Sequence, residues 1–227
     1  MNFAKKLAGI AIMMLVAGCS GNQLDKSKVI TEDSQKAVVV LALTSDGTGL
    51  SSPVLGWSAF DTETNLMIDK RVRVNKRTDS NAGDVLATMF VGQRDFGGKN
   101  YYVFEVDPGG YFLEYVHTSG NSGLFKRKVT TVYKEQSPAF VTQAGHVYYI
   151  GDFQFTAVGN QNTLRPVAPD PEGAEAIVRA DYPNVKAPVD YQPARFISLN
   201  CRAQRTNIFG KELDFCAPGE TDVVYSE

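Results

Sequence analysis

The fourteen residues "FEVDPGGYFLEYVH" (104–117) crowd three acids, a histidine and four aromatics around a proline-glycine turn. Glu105 and Glu114 are the nearest approach to a catalytic pair. If the segment is a hairpin, they are diagonal neighbours about 7–8 Å apart, within the range at which inverting glycosidases hold their acid and base. The same register puts both on a strand's solvent face, where charge is expected without any chemistry. His117 and His146 are the chain's two histidines, and a zinc ion would need further ligands converging on them, such as Glu114 and Asp152. With no Cys-x-x-Cys or paired-histidine spacing nearby, they read as surface or turn residues. The serines of "HTSGNSG" (117–123) lack the Gly-x-Ser-x-Gly elbow and lead into no helix. A triad gathered from distant positions stays open. The chain carries no phosphate-binding loop and no dinucleotide fingerprint, so no catalytic residue, metal or cofactor is assigned.

Binding is a second class of chemistry. "DKRVRVNKR" (69–77) puts Arg71 and Arg73 on one side of a strand and Val72 and Val74 on the other. The arginines are a possible ligand surface for an anionic glycan, a lipid headgroup or an acidic partner. The competing reading is a charged strand face that resists edge-to-edge association. Tyr101, Tyr102, Tyr111, Tyr115, Tyr148 and Tyr149 would serve a sugar-stacking platform if they were exposed in a row, or core and cross-strand pairs if not.

The N-terminus is the most informative stretch. "MNFAKKLAGIAIMMLVAGCS" runs from Lys5 and Lys6 through an apolar segment, Leu7 to Ala17, to small residues and Cys19. This is the layout of a secretory signal. Eleven apolar residues make a helix of roughly 16 Å, about half the hydrocarbon thickness of a bilayer, which disfavours a permanent span. Leu15-Val16-Ala17-Gly18-Cys19 resembles the lipobox of bacterial lipoproteins. The resemblance implies a diacylglyceryl group on the Cys19 thiol, cleavage before Cys19 and acylation of the freed amine. Two or three chains anchor durably where one is marginal, each buried methylene adding about 0.8 kcal/mol. Ser20, where lipoproteins retained at the inner membrane of enteric bacteria carry Asp, favours the outer membrane. Losing residues 1–18 removes Lys5 and Lys6 and no acid, so 21 of the 23 basic residues remain against 25 acidic ones. That acidic balance and the envelope compartment both argue against nucleic acid as a partner.

The elements that must carry these residues are mostly strands. Residues 19–36 are polar and aperiodic and read as lipid anchor and flexible tether, with a typical end-to-end distance of about 20–25 Å. From Ala37 onward, runs rich in Val, Tyr, Phe and Thr alternate with Gly, Asn, Asp and Pro, the pattern of antiparallel β structure. Strands are expected near 37–44, 55–61, 66–74, 86–91, 101–106, 111–117, 126–134 and 146–156. Asp107-Pro108-Gly109-Gly110 suits a β-turn. The resulting hairpin would face Val106 with Tyr111, Phe104 with Leu113 and Tyr102 with Tyr115, all on the core side. Its other face, with Val103, Glu105, Phe112 and Glu114, would be at least partly wet.

A β-sandwich domain is thus expected over 37–157, followed by a proline-containing tail, 158–227, packing on it. One short helix is expected in the tail, with Asp170 as N-cap, Pro171 at the first position and a stripe of Ala174, Ile177, Val178 and Tyr182 ending before Pro183. With Cys19 consumed by lipid, Cys201 and Cys216 remain as an even pair in an oxidising compartment, which favours a disulfide over two reduced, buried thiols.

"FEVDPGGYFLEYV" (104–116) and "AGHVYYIGDFQF" (144–155) together resemble a pattern in uncharacterised bacterial lipoprotein domains that are similar to prealbumin-like or carboxypeptidase-regulatory-like β-sandwiches. The resemblance covers about 120 residues and implies a fold without an activity. The reading is a mainly β protein, an antiparallel sandwich with one short C-terminal helix. It is lipid-anchored at the outer membrane and is a structural, assembly or binding module with a cell-envelope protein or glycan as partner. The alternatives are a dedicated glycan or peptidoglycan binder and a lipid-anchored hydrolase.

Overall fold

A computed structural model describes residues 23–46, 53–74, 97–122, 125–158, 161–205 and 215–226. The expected strands form as β1 (Ala37–Asp46), β2 (Val54–Phe60), β3 (Met67–Val74), β4 (Gly97–Val106), β5 (Gly109–Ser122), β6 (Phe125–Val132) and β8 (Val147–Val158). The run 86–91 lies outside the described residues. A further strand, β7 (Ser137–Thr142), was not anticipated, because Pro138 interrupts its short apolar pattern.

The tail is part of the sandwich rather than an appendage to it. It contributes β9 (Gln161–Val167), β10 (Val189–Tyr191), β11 (Arg195–Cys201) and β12 (Thr221–Tyr225). One sheet runs β10-β8-β1-β4 with β9 also on β8, and the other runs β12-β11-β7-β5-β2-β3 with β6 also on β5. Over the described residues the protein is therefore a two-sheet β-sandwich with one helix, as expected. Among the described strands the pairings are antiparallel except β1 with β8 and β10 with β8, which are parallel, and an isolated bridge pairs Ile30 with Val185 in parallel as well.

Why β1 can sit centrally and pair in parallel is written in "AVVVLAL", where every residue is buried. Parallel strands are usually covered on both faces. Ala37, Val39, Leu41 and Leu43 face the main core between the sheets. Val38 and Val40 face a second apolar layer. The helix α1 (Pro171–Asp181) builds that layer by placing Ala174 and Val178 on the sheet, its start fixed by the Asp170 carboxylate accepting from the Gly173 amide at 2.9 Å. Leu24 and Ile30, both buried, complete it.

Those last two residues overturn the tether over part of its length. The Leu24 amide donates to the Val103 carbonyl at 3.0 Å, and Lys186 donates its amide to Ile30 at 2.8 Å. Residues 23–36 are a strap docked on the five-stranded sheet. Two apolar side chains in a polar stretch suffice because both enter the apolar hollow lined by Val38, Val103, Val178 and Val185.

The corner at Asp107 is also different from the expected hairpin. β4 pairs with β1, whereas β5 pairs with β2, β6 and β7, so the chain crosses from one sheet to the other. Gly109 turns this corner at φ +140°, a value side-chain-bearing residues avoid. Tyr102, Phe104, Val106, Tyr111 and Leu113 nonetheless all enter the main core. Alternation along each strand decides which face a residue takes, whichever neighbour the strand pairs with. Trp57 anchors this core edge-on against Phe140 at 5.0 Å between ring centroids.

Candidate functional site

Arg71 and Arg73 lie on the outer face of the seven-stranded sheet, opposite Val72 and Val74, which are buried in the main core. Neither guanidinium stands alone. Arg71 donates to Glu114 Oε1 at 2.6 Å and stacks over the Phe215 ring at 5.1 Å, while Arg73 Nε donates to the Tyr115 hydroxyl at 2.8 Å. The Ser58 hydroxyl donates to the other oxygen of Glu114 at 2.8 Å.

This cluster exists because β5 is bulged. Trp57 pairs with Leu113 and Gly56 with Tyr115, which leaves Glu114 as the extra residue. Past the bulge the alternation changes phase. Tyr115 is thereby moved to the outer face, and Val116 takes the core position in its place. The Tyr115 ring lies flat on Gly56, where a Cβ would meet it at 2.0 Å.

The expected wet face is accordingly covered. Glu114 is 1% exposed and Phe112 is fully buried. Above them the two edges of the sheet curl toward each other, with the Val223 amide donating to the Asn65 carbonyl at 2.8 Å and the Gly219 amide to that of Met67 at 2.7 Å. Cys201 and Cys216 form a disulfide. It holds Phe215 edge-on to Tyr115 at 5.7 Å.

Where the strap meets the corner, a groove of about 360 Å³ opens. Its charged lining is Asp25, Lys28, Lys36, Lys70, Arg71, Glu105 and Asp107. Lys28 pairs with Glu105, and Lys36 and Lys70 both pair with Asp107. The Lys36 and Lys70 ammonium groups hold the Asp107 carboxyl below its ordinary pKa. Sequence reasoning isolated Arg71 but missed these lysines, since Lys28, Lys36 and Lys70 come from three distant segments with no shared spacing.

The other titratable residues are distributed through the fold. Glu105 is on β4 and Glu114 on β5, in different sheets, so the diagonal pairing across one hairpin does not occur. His117 Nδ1 lies 2.7 Å from the Thr130 hydroxyl, and burial, with Lys128 and Arg73 adding to it, lowers its pKa. His146 lies 3.5 Å from Asp190 and stacks on Tyr148. Among the described residues, neither histidine gathers both an acid and a hydroxyl, and no group of three metal-ligating side chains forms.

A second charged cluster pins the start of α1. Lys99 Nζ bridges Asp152 at 2.6 Å and Asp170 at 2.8 Å. Burial works against its charge, but the two carboxylates outweigh it and raise the lysine above its ordinary pKa. Tyr149 donates to Asp152 and accepts from the Asp170 amide. Of the six tyrosines named above, all but Tyr101 are buried. Among the described residues no exposed aromatic row lies beside Arg71 and Arg73. Cys19, the expected lipid attachment residue, lies outside the described residues.

No protein-family model matches this chain, and no curated protein matches it. Among solved structures, a leucine-rich repeat protein from Bacteroides thetaiotaomicron VPI-5482 is similar at 11% identity and a TM-score of 0.29. That likeness covers 65% of this chain and 16% of the other, so this chain spans well under two thirds of that protein's length. At that TM-score it carries no argument about fold or function.

Proposed function

We propose that the protein is an outer-membrane lipoprotein, anchored through lipid on Cys19, whose β-sandwich acts as a non-catalytic structural, assembly or binding module of the cell envelope. The observation that carries this reading is the exit Leu15-Val16-Ala17-Gly18-Cys19 after a charged start and a short apolar run. The pairing of Cys201 with Cys216 is in keeping with an oxidising compartment, and it leaves Cys19 as the one thiol available for acylation. The non-catalytic part is supported by the two acids with the best spacing. Glu105 holds Lys28, and Glu114 holds Arg71 and Ser58, in separate sheets. Ser20 supports the outer membrane over the inner one.

Replacing Cys19 by Ala in cells, followed by fractionation and intact-mass analysis, tests the anchor. The parent protein should carry the mass of a diacylglyceryl group on a chain beginning at Cys19 and should float with outer membranes. The variant should lose both the lipid and the membrane association. Unchanged processing and pelleting of the variant would overturn the reading.

A further inference from the structure

The leash between lipid and folded body is short. Gln23 already pairs with Phe104 across a β-bridge, and the Leu24 amide is bonded to β4. The folded body therefore begins four residues after Cys19. Four residues fully extended reach about 13–14 Å, and the headgroup layer of one leaflet takes up about 5–8 Å of that. With Cys19 acylated, Gln23 is held at most about 10 Å above the headgroups. A body of about 200 residues is roughly 40 Å across. A sphere of that width held so low touches the membrane only with surface within about 20 Å of Gln23.

The 25–29 turn lies inside that limit. Lys28 donates its amide to the Asp25 carbonyl at 3.0 Å, which closes a β-turn and keeps their Cα atoms within about 7 Å. Val29 is thus no more than about 18 Å from Gln23. Leu24 and Ile30 are buried on either side, whereas Asp25, Lys26, Ser27, Lys28 and Val29 are all exposed and stand out between these two anchors. The turn has a fixed shape, with the Asp25 carboxylate accepting from the Ser27 amide at 2.8 Å and Asn184 Nδ2 donating to the Ser27 carbonyl at 3.3 Å. Around it the charges are matched, Asp25, Glu105, Asp107 and Glu114 against Lys28, Lys36, Lys70 and Arg71. Contact with lipid here needs no anion site, because the leash alone limits which surface can face the leaflet.

We propose that the 25–29 turn is the surface on which the protein rests against the leaflet that anchors Cys19, with the far end of β8 turned away from the membrane. The inference rests on the proposed lipidation. Gln23, Phe104, Val39 and Tyr148 lie in one cross-strand row. Val158 is ten residues beyond Tyr148 on β8, roughly 33 Å along the strand from that row, so it lies outside the surface that can touch lipid. Val29 is 61% exposed and Val158 71% exposed, which makes both positions open to a label without disturbing the core.

Val29→Cys and Val158→Cys, each carrying a fluorophore on the introduced thiol, are reconstituted as mature lipidated proteins into vesicles of phosphatidylethanolamine and phosphatidylglycerol. A small fraction of the lipid bears a nitroxide on its headgroup and quenches at short range. Quenching at position 29 should exceed that at position 158 at least three-fold. Equal quenching, or more at 158, would overturn the orientation. A long Gly-Ser insertion between Ser20 and Gly21 should bring position 29 down to the level of 158, and undiminished quenching there would overturn the leash as its cause. Absence of lipid from the intact mass would sink the anchoring itself, whereas a lipidated protein with equal quenching at both positions sinks the orientation and leaves the anchor standing.

Discussion

Arg71 and Glu114 form an ion pair at 2.6 Å in which the carboxylate is almost wholly enclosed and the guanidinium is one third exposed. A carboxylate so placed is costly unless every lone pair is served. Arg71 and Ser58 serve both oxygens, and the β5 bulge is what aims the side chain between them.

Glu114→Gln keeps the volume and one acceptor but removes the charge. It should cost about 1–3 kcal/mol, the range for a charge-assisted hydrogen bond in a buried site. Urea unfolding of the disulfide-intact protein measures it. Combining it with Arg71→Met should cost less than the two single changes added together, because the second removes a charge the first has left unmatched. Strict additivity, or a neutral Glu114→Gln, would mean that water reaches this face.

Phe104 is fully enclosed between the sheets, 6.3 Å from Trp57 and 6.4 Å from Phe140 by ring centroids. Phe104→Ala should lower stability by about 3–5 kcal/mol, the transfer and cavity cost of a large core aromatic. Glu105→Gln, on the opposite face of β4 and paired with the half-exposed Lys28, should change it by no more than about 0.5–1 kcal/mol.

These two residues also mark how far the sequence can be read. Phe104 was recognisable as core because period-2 alternation depends on β4 alone. Glu114 was not recognisable as buried, because the bulge needs Gly56 on β2 and the cover needs Phe215 and the Cys201–Cys216 loop. The Asp107-Pro108-Gly109-Gly110 segment has the same local chemistry whether the chain folds back within a sheet or crosses to the next one. Only the competition between β1 and β5 for β4 decides that. Helix α1 was legible to its caps because Asp170, Pro171 and Pro183 act locally. Docking of the 23–36 strap was hidden, since Leu24 and Ile30 show no periodicity and their hollow is built by residues far along the chain.

The disulfide closes a loop with a sequence separation of 15 residues. On chain-entropy grounds such a loop stabilises by about 3 kcal/mol. Cys201→Ala with Cys216→Ala should therefore lower the urea midpoint without changing the slope of the transition much. It should also raise the sensitivity of Arg71 and Tyr115 to exchange and labelling, because Phe215 is released from them. An unchanged midpoint would show that β11 and β12 hold that segment unaided.

Asp107 sits at the corner between the sheets, its carboxylate shared by Lys36 ahead of β1 and Lys70 on β3. Those two hydrogen bonds depress its pKa in the folded state, while partial burial works weakly the other way. A carboxyl with a lowered folded pKa stabilises the native state at pH values above its unfolded pKa of about 3.9. That contribution falls as the pH drops through the lower folded value, because the unfolded chain then binds the proton first. Asp107 is 38% exposed on its side chain, so solvent screening limits the effect to at most about 1 kcal/mol. Asp107→Asn should therefore lower stability slightly at pH 7 and flatten the loss of stability as the pH falls from about 5 through the unfolded pKa and below it. Added salt should shrink the difference between the two proteins at pH 7. Parallel stability curves for the parent and Asp107→Asn across that acid range would show that neither lysine acts on the carboxylate in solution.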